Sequence, residues 1–251
     1  MILSEEKLEN KENYKVDFFS FENIKSLFIM IIIIFIFRWS VAAPYHVPTA
    51  SMEPTIKTGD RLLASKLTYD LKFPFTNISL MSLGQVKRGD IIVFSYPKDP
   101  SLDYVKRVVG LPGDHIKLED GILYINEIAV ERKSMNSHRS ILDDITDLSD
   151  KKDLFQEDLG GVVHWTLYLK KNLSYLPKKS WPSSQDIYIV PEKSVVVFGD
   201  NRDNSSDSRV WGKVPLSLIK GKALFVLWSM YTKKGAFFPT LRFKRFGQKI
   251  Y

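Results

Sequence analysis

The sequence predicts a mostly β domain preceded by one membrane-spanning helix. Three observations carry that reading: an unbroken apolar run near the N-terminus, short β-branched and aromatic runs beyond it, and turn dipeptides between those runs. With 251 residues, 44% apolar and 26% charged, the chain can close a substantial core, and wholesale disorder is excluded.

The helix comes first. Leu27 to Phe37 reads LFIMIIIIFIF, eleven positions without a polar side chain. At about 1.5 Å per residue they span roughly 17 Å, short of a bilayer core of about 30 Å. Residues 26–43 reach about 27 Å if the stem of Arg38 lets its guanidinium snorkel toward the headgroups, where Trp39 is also at home. An anchor over 26–43 behind a polar tail, 1–25, is therefore expected. A buried soluble helix is disfavoured, because the run has no polar face to turn to water. A cleaved leader stays open, since Val41-Ala42-Ala43 is similar to a small-x-small cleavage site, but six acids in the first 25 residues suit it badly. Lysines and arginines flank both ends, so charge sets no orientation.

Beyond Pro44 the text changes. Asp90 to Tyr96, Tyr104 to Val109, Ile122 to Ile125, Trp165 to Leu169, Ile187 to Val190, Ser194 to Phe198 and Ala223 to Trp228 read as strands. Gly59-Asp60, Gly89-Asp90, Pro112-Gly113-Asp114, Asp120-Gly121 and Gly199-Asp200 supply the turns. Ser134 to Asp158 breaks this rhythm with seven acids and predicts a solvated acidic loop or short helix.

Composition removes several chemistries. The absence of cysteine excludes disulfides, thiolate metal sites, iron–sulfur clusters and a cysteine nucleophile. Net charge is +7, yet nine Lys or Arg and no acid lie between Val210 and Tyr251, so the excess is C-terminal. Such a tail suits anionic lipid, nucleic acid or an acidic partner.

Ser51 is the first chemical candidate. It sits in Pro48-Thr49-Ala50-Ser51-Met52-Glu53-Pro54-Thr55, where two prolines hold an extended, turning backbone around small residues. A nucleophilic serine needs a base. His46, His115, His138 and His164 carry no local signature, and no G-x-S-x-G elbow is present, so a triad has no support. Lys106 is the alternative. In a strand Lys106 and Arg107 face opposite ways, so one cation has to point inward, and a buried lysine can lose its proton where arginine cannot. An exposed edge guarded by both cations is the competing reading. Finally, Gly199-Asp200-Asn201-Arg202-Asp203-Asn204-Ser205-Ser206-Asp207-Ser208-Arg209 is densely polar. Ser208 and Val214 stand where a calcium loop needs Gly and Glu, so no metal is expected, and a loop paired through Asp200, Asp207 and Arg209 fits better.

With these segments, with Asp103-Tyr104-Val105-Lys106-Arg107-Val108-Val109-Gly110-Leu111-Pro112-Gly113-Asp114 and with Gly59 to Tyr69, the chain resembles a bacterial type I signal peptidase from about Ser26 to Trp228. The resemblance implies an all-β catalytic domain (the β fold shared with repressor-type peptidases) carrying a smaller inserted β subdomain. On that pattern the catalytic core is 44–114 with 196–235, the variable insertion is 115–195, and 236–251 is a basic aromatic tail. It implies a membrane-anchored serine endopeptidase that removes signal peptides from exported preproteins after a small-x-small motif, on the outer face of the bacterial cytoplasmic membrane. Ser51 would be the nucleophile and Lys106 its base. The Ser51 N–H and the Thr49 hydroxyl would hold the oxyanion. Ser205 would orient Lys106, with Asp200, Asp207, Arg209 and Arg107 in support, and Val47, Pro48, Met52, Ile56 and Val105 would meet substrate side chains. Partners would be preproteins and membrane phospholipid, through aromatics such as Trp228, Phe237 and Phe243, with no nucleic acid, no cofactor and a monomeric enzyme. Two other readings stay open: a membrane-anchored Ser/Lys peptidase with a different target, and a noncatalytic anchored β scaffold.

Overall fold

The structure is a computed structural model that describes residues 20–72, 79–119, 121–145, 151–170, 187–232 and 237–251, apart from the side chains of 36–40, 72 and 79. The chain divides into two compact units, 1–38 and 39–251.

The helix of the first unit, Phe21–Ser40, has 20 residues and is about 30 Å long. It starts at Phe21 rather than Ser26, and it ends before Ala43 because Ala42–His46 is a strand paired with Asp60–Ser65. Pro44 reinforces that stop, since a residue preceding proline avoids the helical region. Side chains from Leu27 to Phe35 are exposed. Among the described residues, which leave out the last five side chains of this helix, no helix is long and apolar enough to cross a membrane.

The second unit is built on an antiparallel sheet of eight strands among the described residues. Seven run in the order Ala42–His46, Asp60–Ser65, Ile219–Tyr231, Ile91–Tyr96, Asp99–Gly110, Ser194–Phe198 and Val214–Pro215, and Thr240–Leu241 pairs with the end of Ile219–Tyr231. Sequence pattern explains the layering. Asp60–Ser65 alternates buried and half-buried positions, so Leu62 and Ala64 face one core, whereas Ile91 to Ser95 are buried on both faces of a central strand. Ile219–Tyr231 pairs with both of these strands, and register shifts near Ala223 and Val226 mark bulges that bend it between them.

Both faces of the sheet are covered. On one lie Val47, Met52, Ile56, Leu62, Ile91, Ala223, Val226 and Ile250; another cluster joins Ile92, Phe94, Val108, Val195, Val197 and Val214. A third unites Val109, Val196 and Phe198 of the main sheet with Ile116, Leu123, Leu159 and Val190. Among the described residues, those between 115 and 189 supply two further antiparallel sheets, one of four strands containing His115–Glu119 and one of three containing Lys152–Asp158 and Val163–Leu169.

Two expectations are corrected here. The acidic stretch is not all solvated loop: Asn136–Leu142 is a 3-10 helix, but Lys152–Asp158 is a strand that buries Leu154 and Glu157. Glu157 tolerates burial because Arg202 donates to both its oxygens, Nη2 to Oε2 at 2.5 Å, and Tyr168 adds a hydroxyl. Asp147 and Asp150 lie outside the described residues. The tail arginines do not face outward either. Arg242 and Arg245 are buried, Arg245 forking onto Asp60 and Arg242 donating to Ser229 Oγ at 2.8 Å. An internal carboxylate at Asp60, fully buried, outbids solvent for these cations.

Candidate active site

Ser51 and Lys106, 55 residues apart in sequence, meet in the second unit: Lys106 Nζ donates to Ser51 Oγ at 2.7 Å. Its other partner is the Val105 carbonyl at 3.0 Å, and the Tyr104 ring lies 5.4 Å away. Lys106 is 4% exposed. Burial pushes its ammonium down to about 8, against Asp207 and Asp200, which favour the charged form. A strand enclosed on both faces resolves the choice posed by the sequence differently from either alternative: Lys106 and Arg107 are both buried.

Arg107 survives burial through pairing. Its Nε and Nη2 each donate to Asp200 at 2.8 Å, and Nη1 donates to the Gly89 carbonyl at 2.9 Å. Burial alone would raise the Asp200 carboxyl; Arg107 holds it below the usual carboxylate range. Asp200 also accepts from Thr55 Oγ1 at 2.6 Å, tying the turn that follows Ser51 to this pair.

The 199–209 loop folds on itself. Asp207 accepts from Gly199 N at 2.9 Å and from Arg209 Nε and Nη2 at 2.8 Å each. Arg209 keeps Asp207 ionised against the burial that opposes it. Gly199 is needed for a close approach, since a Cβ there would collide with Ser205 Oγ and with the Ser51 carbonyl oxygen. Ser205 and the Ser51 carbonyl thus both crowd the side-chain position of Gly199, and among the described residues the hydrogen-bond partners of Lys106 Nζ are Ser51 and Val105 rather than Ser205.

Thr49 Oγ1 lies 3.3 Å from Ser51 Oγ and is exposed, within reach of anything bound at the serine. Of the proposed substrate contacts, Pro48 is exposed and Val105 half-buried. Val47, Met52 and Ile56 are closed to solvent in the first core cluster. The histidines stay apart: His46, His115 and His138 are exposed on other segments. Burial lowers His164 to about 4 beside Arg202 and Glu157.

Sequence reading missed two contributors. Asn201 donates its N–H to the Ser51 carbonyl at 3.1 Å and its side-chain amide to the Ala50 carbonyl at 2.9 Å, fixing the serine turn. The Glu157–Arg202 pair anchors the same loop to the insertion. Asn201 was visible as part of the polar stretch, whereas nothing local marks Glu157. A cavity of about 830 Å³ lies elsewhere, lined by Thr55, Lys57, Trp165, Arg242 and Tyr251 among others, but neither Ser51 nor Lys106 is on its wall. No cluster of potential metal ligands occurs among the described residues.

A buried amine against a serine hydroxyl, with hydroxyl and backbone donors beside it, can perform nucleophilic acyl transfer without histidine. Comparison with known proteins gives this chemistry a context. Residues 20–228 match the family model described as signal peptidase, peptidase S26. A signal peptidase I of Buchnera aphidicola subsp. Schizaphis graminum is 35% identical over 96% of this chain and 83% of its own length. One of Pseudomonas fluorescens is 36% identical over 81% and 70%, and one of Aquifex aeolicus 33% identical over 83% and 84%.

Proposed function

The chain belongs to the signal peptidase family, peptidase S26, and on that premise we propose that it is a serine endopeptidase that cleaves signal peptides from preproteins by a Ser51–Lys106 dyad. The observation carrying this reading is the 2.7 Å contact between Lys106 Nζ and Ser51 Oγ, both buried. With the ammonium at about 8, about a tenth of the amines are neutral at pH 7, enough to serve as general base.

Neutral Lys106 takes the Ser51 proton as Oγ attacks the scissile carbonyl, and returns it to the departing amine. The resulting acyl ester is hydrolysed by water that Lys106 activates in turn. Oxyanion stabilisation comes from the Ser51 N–H and the Thr49 hydroxyl. Asp200, held by Arg107, ties the loop to the serine turn through Thr55, Asp207 with Arg209 braces the loop itself, and Ser205, beside the Ser51 carbonyl, orients the Lys106 ammonium in this reading. The peptide binds extended along Val47–Thr49 and Tyr104–Lys106, touching Pro48 and Val105 above the buried Val47, Met52 and Ile56, and is cut after a small-x-small motif.

The helix Phe21–Ser40 is the anchor in this reading, about the length of a bilayer core. In this reading the enzyme acts on the outer face of the cytoplasmic membrane, with Ser51 thirteen residues beyond Arg38 in the sequence. Lipid contact rests on the exposed aromatics Phe237, Phe238, Phe243 and Phe246 rather than on Arg242 or Arg245.

Cleavage of a purified preprotein in detergent tests the dyad. Ser51→Ala, Lys106→Ala and Lys106→Arg should all be inactive, the last because arginine keeps its proton. Substantial activity in the arginine variant refutes the proposal.

A further inference from the structure

Both peptide units that flank Ser51 are held by one residue. The Ala50 carbonyl accepts from Asn201 Nδ2 at 2.9 Å, and the Ser51 carbonyl accepts from Asn201 N at 3.1 Å. A peptide unit is flat, and in its trans form the C=O and N–H point opposite ways. The direction of the Ala50 carbonyl therefore sets the direction of the Ser51 N–H, since the two groups belong to one unit. Glu53 N, at 3.1 Å, is a second donor to that carbonyl from within the turn. Among the described residues Ser51 N donates to no acceptor, which leaves it for a bound group.

Asn201 is itself gripped from both sides and is 1% exposed. Leu167 N donates to the Asp200 carbonyl at 2.8 Å, and Leu169 N donates to Asp203 Oδ2 at 2.6 Å, so the strand Val163–Leu169 holds the loop before and after it. Arg202 adds its fork onto Glu157 of the neighbouring strand, and Asn204 N closes onto the Asn201 carbonyl at 3.0 Å.

We propose that Asn201 is the positioning residue of the oxyanion hole: it locks the peptide planes on either side of Ser51 so that the Ser51 N–H faces the scissile carbonyl oxygen before substrate arrives. The proposal rests on the dyad and oxyanion reading above. Asn201 is not asked to touch substrate and acts through Ser51. Its amide also polarises the Ala50–Ser51 unit, which strengthens the N–H as a donor. That benefit grows with the charge on the scissile oxygen, so it belongs to kcat rather than to KM.

The test uses the full chain in detergent, with a preprotein as substrate and two inhibitory peptides of signal-peptide sequence, one ending at the cut in an amide and one in a trifluoromethyl ketone. Ser51 Oγ adds to the ketone carbon, its proton passes to the neutral amine of Lys106, and the former carbonyl oxygen becomes the oxyanion. The ketone thus samples the hole and the amide does not. Asn201→Ala should lower kcat about 10–100-fold, less than the 10²–10³ expected from removing a donor outright. KM and inhibition by the amide should stay unchanged, while inhibition by the ketone weakens by the same factor as kcat. Asn201→Leu keeps the volume and excludes both the amide donor and any replacing water from the Ala50 carbonyl, so it should lose at least as much. A mild leucine variant beside a severe alanine variant would mean that the side chain only fills space, and would overturn the proposal. Wild-type kinetics in both variants, or losses confined to KM, would overturn it too. If the alanine variant shows no cooperative melt, the leucine variant decides alone; failure of both to melt makes Asn201 a residue of the fold and rejects the positioning role. Two controls run alongside. Activity in Lys106→Ala refutes the dyad, and a ketone no tighter than the amide on the wild type refutes the oxyanion hole. With both controls holding, unmoved ketone inhibition in the Asn201 variants refutes only the positioning.

Discussion

Replacing Lys106 with methionine should abolish cleavage and stabilise the protein. The buried ammonium titrates at about 8 instead of its ordinary 10.5. At about 1.4 kcal/mol per pKa unit, the folded state at pH 7 therefore bears a cost of roughly 3 kcal/mol that the unfolded chain does not. Methionine conserves most of the volume and removes that cost, while losing the hydrogen bond to Ser51, worth about 1 kcal/mol, so a net gain of about 2 kcal/mol is expected at pH 7. The sign fixes its pH course. Between the folded and unfolded pKa values the unfolded state binds more protons, so wild-type stability recovers as pH rises from 8 to 10.5. The advantage of Lys106→Met is thus full below pH 8 and fades toward pH 10.5. Urea unfolding of both full chains in the same detergent, at several pH values across that window, measures the difference, in which all other titrations cancel. A methionine variant less stable than wild type at pH 7, or a difference that stays flat with pH, would refute the reasoning.

Thr49→Val should lower kcat by about 10²–10³ with little change in KM, and Thr49→Ser should be mild; equal losses in steady-state assays would point to packing instead. Glu157→Gln leaves Arg202 buried without its counter-charge and should cost about 3–5 kcal/mol in denaturant unfolding. Because Arg202 holds the Glu157 carboxyl below the usual range, despite the burial that opposes this, the stability it provides is present above the unfolded carboxyl pKa and lost as pH falls through the folded one. Phe237→Asp with Phe243→Asp should weaken sedimentation with lipid vesicles at unchanged melting temperature. Arg242→Gln should instead lower the melting temperature and leave vesicle binding alone.

What the sequence by itself determined was the set of local elements and the chemical inventory. Short continuous runs of β-branched and aromatic residues marked Ile91–Tyr96 and Ser194–Phe198, and the prolines and small residues around Ser51 marked a turn, because both depend on neighbours a few positions away; that Ser51 to Pro54 are buried did not show in the sequence. The absence of cysteine left serine as the nucleophile, the histidines carried no local signature, and Lys106 was offered as an alternative base that the family resemblance then favoured. Tertiary structure decided which charges are buried and with whom. Sequence required one of Lys106 and Arg107 to turn inward; both do, because separate core clusters cover the two faces of their strand. Arg245 reads as a lipid-facing cation until the fold brings it to Asp60, 185 residues away, and Glu157 reads as loop until Arg202 meets it from 45 residues away. A charge in a sequence carries its sign but not its partner. Since desolvation makes an unpaired buried charge prohibitive, only long-range pairing settles whether such a residue faces water, a lipid or the site itself.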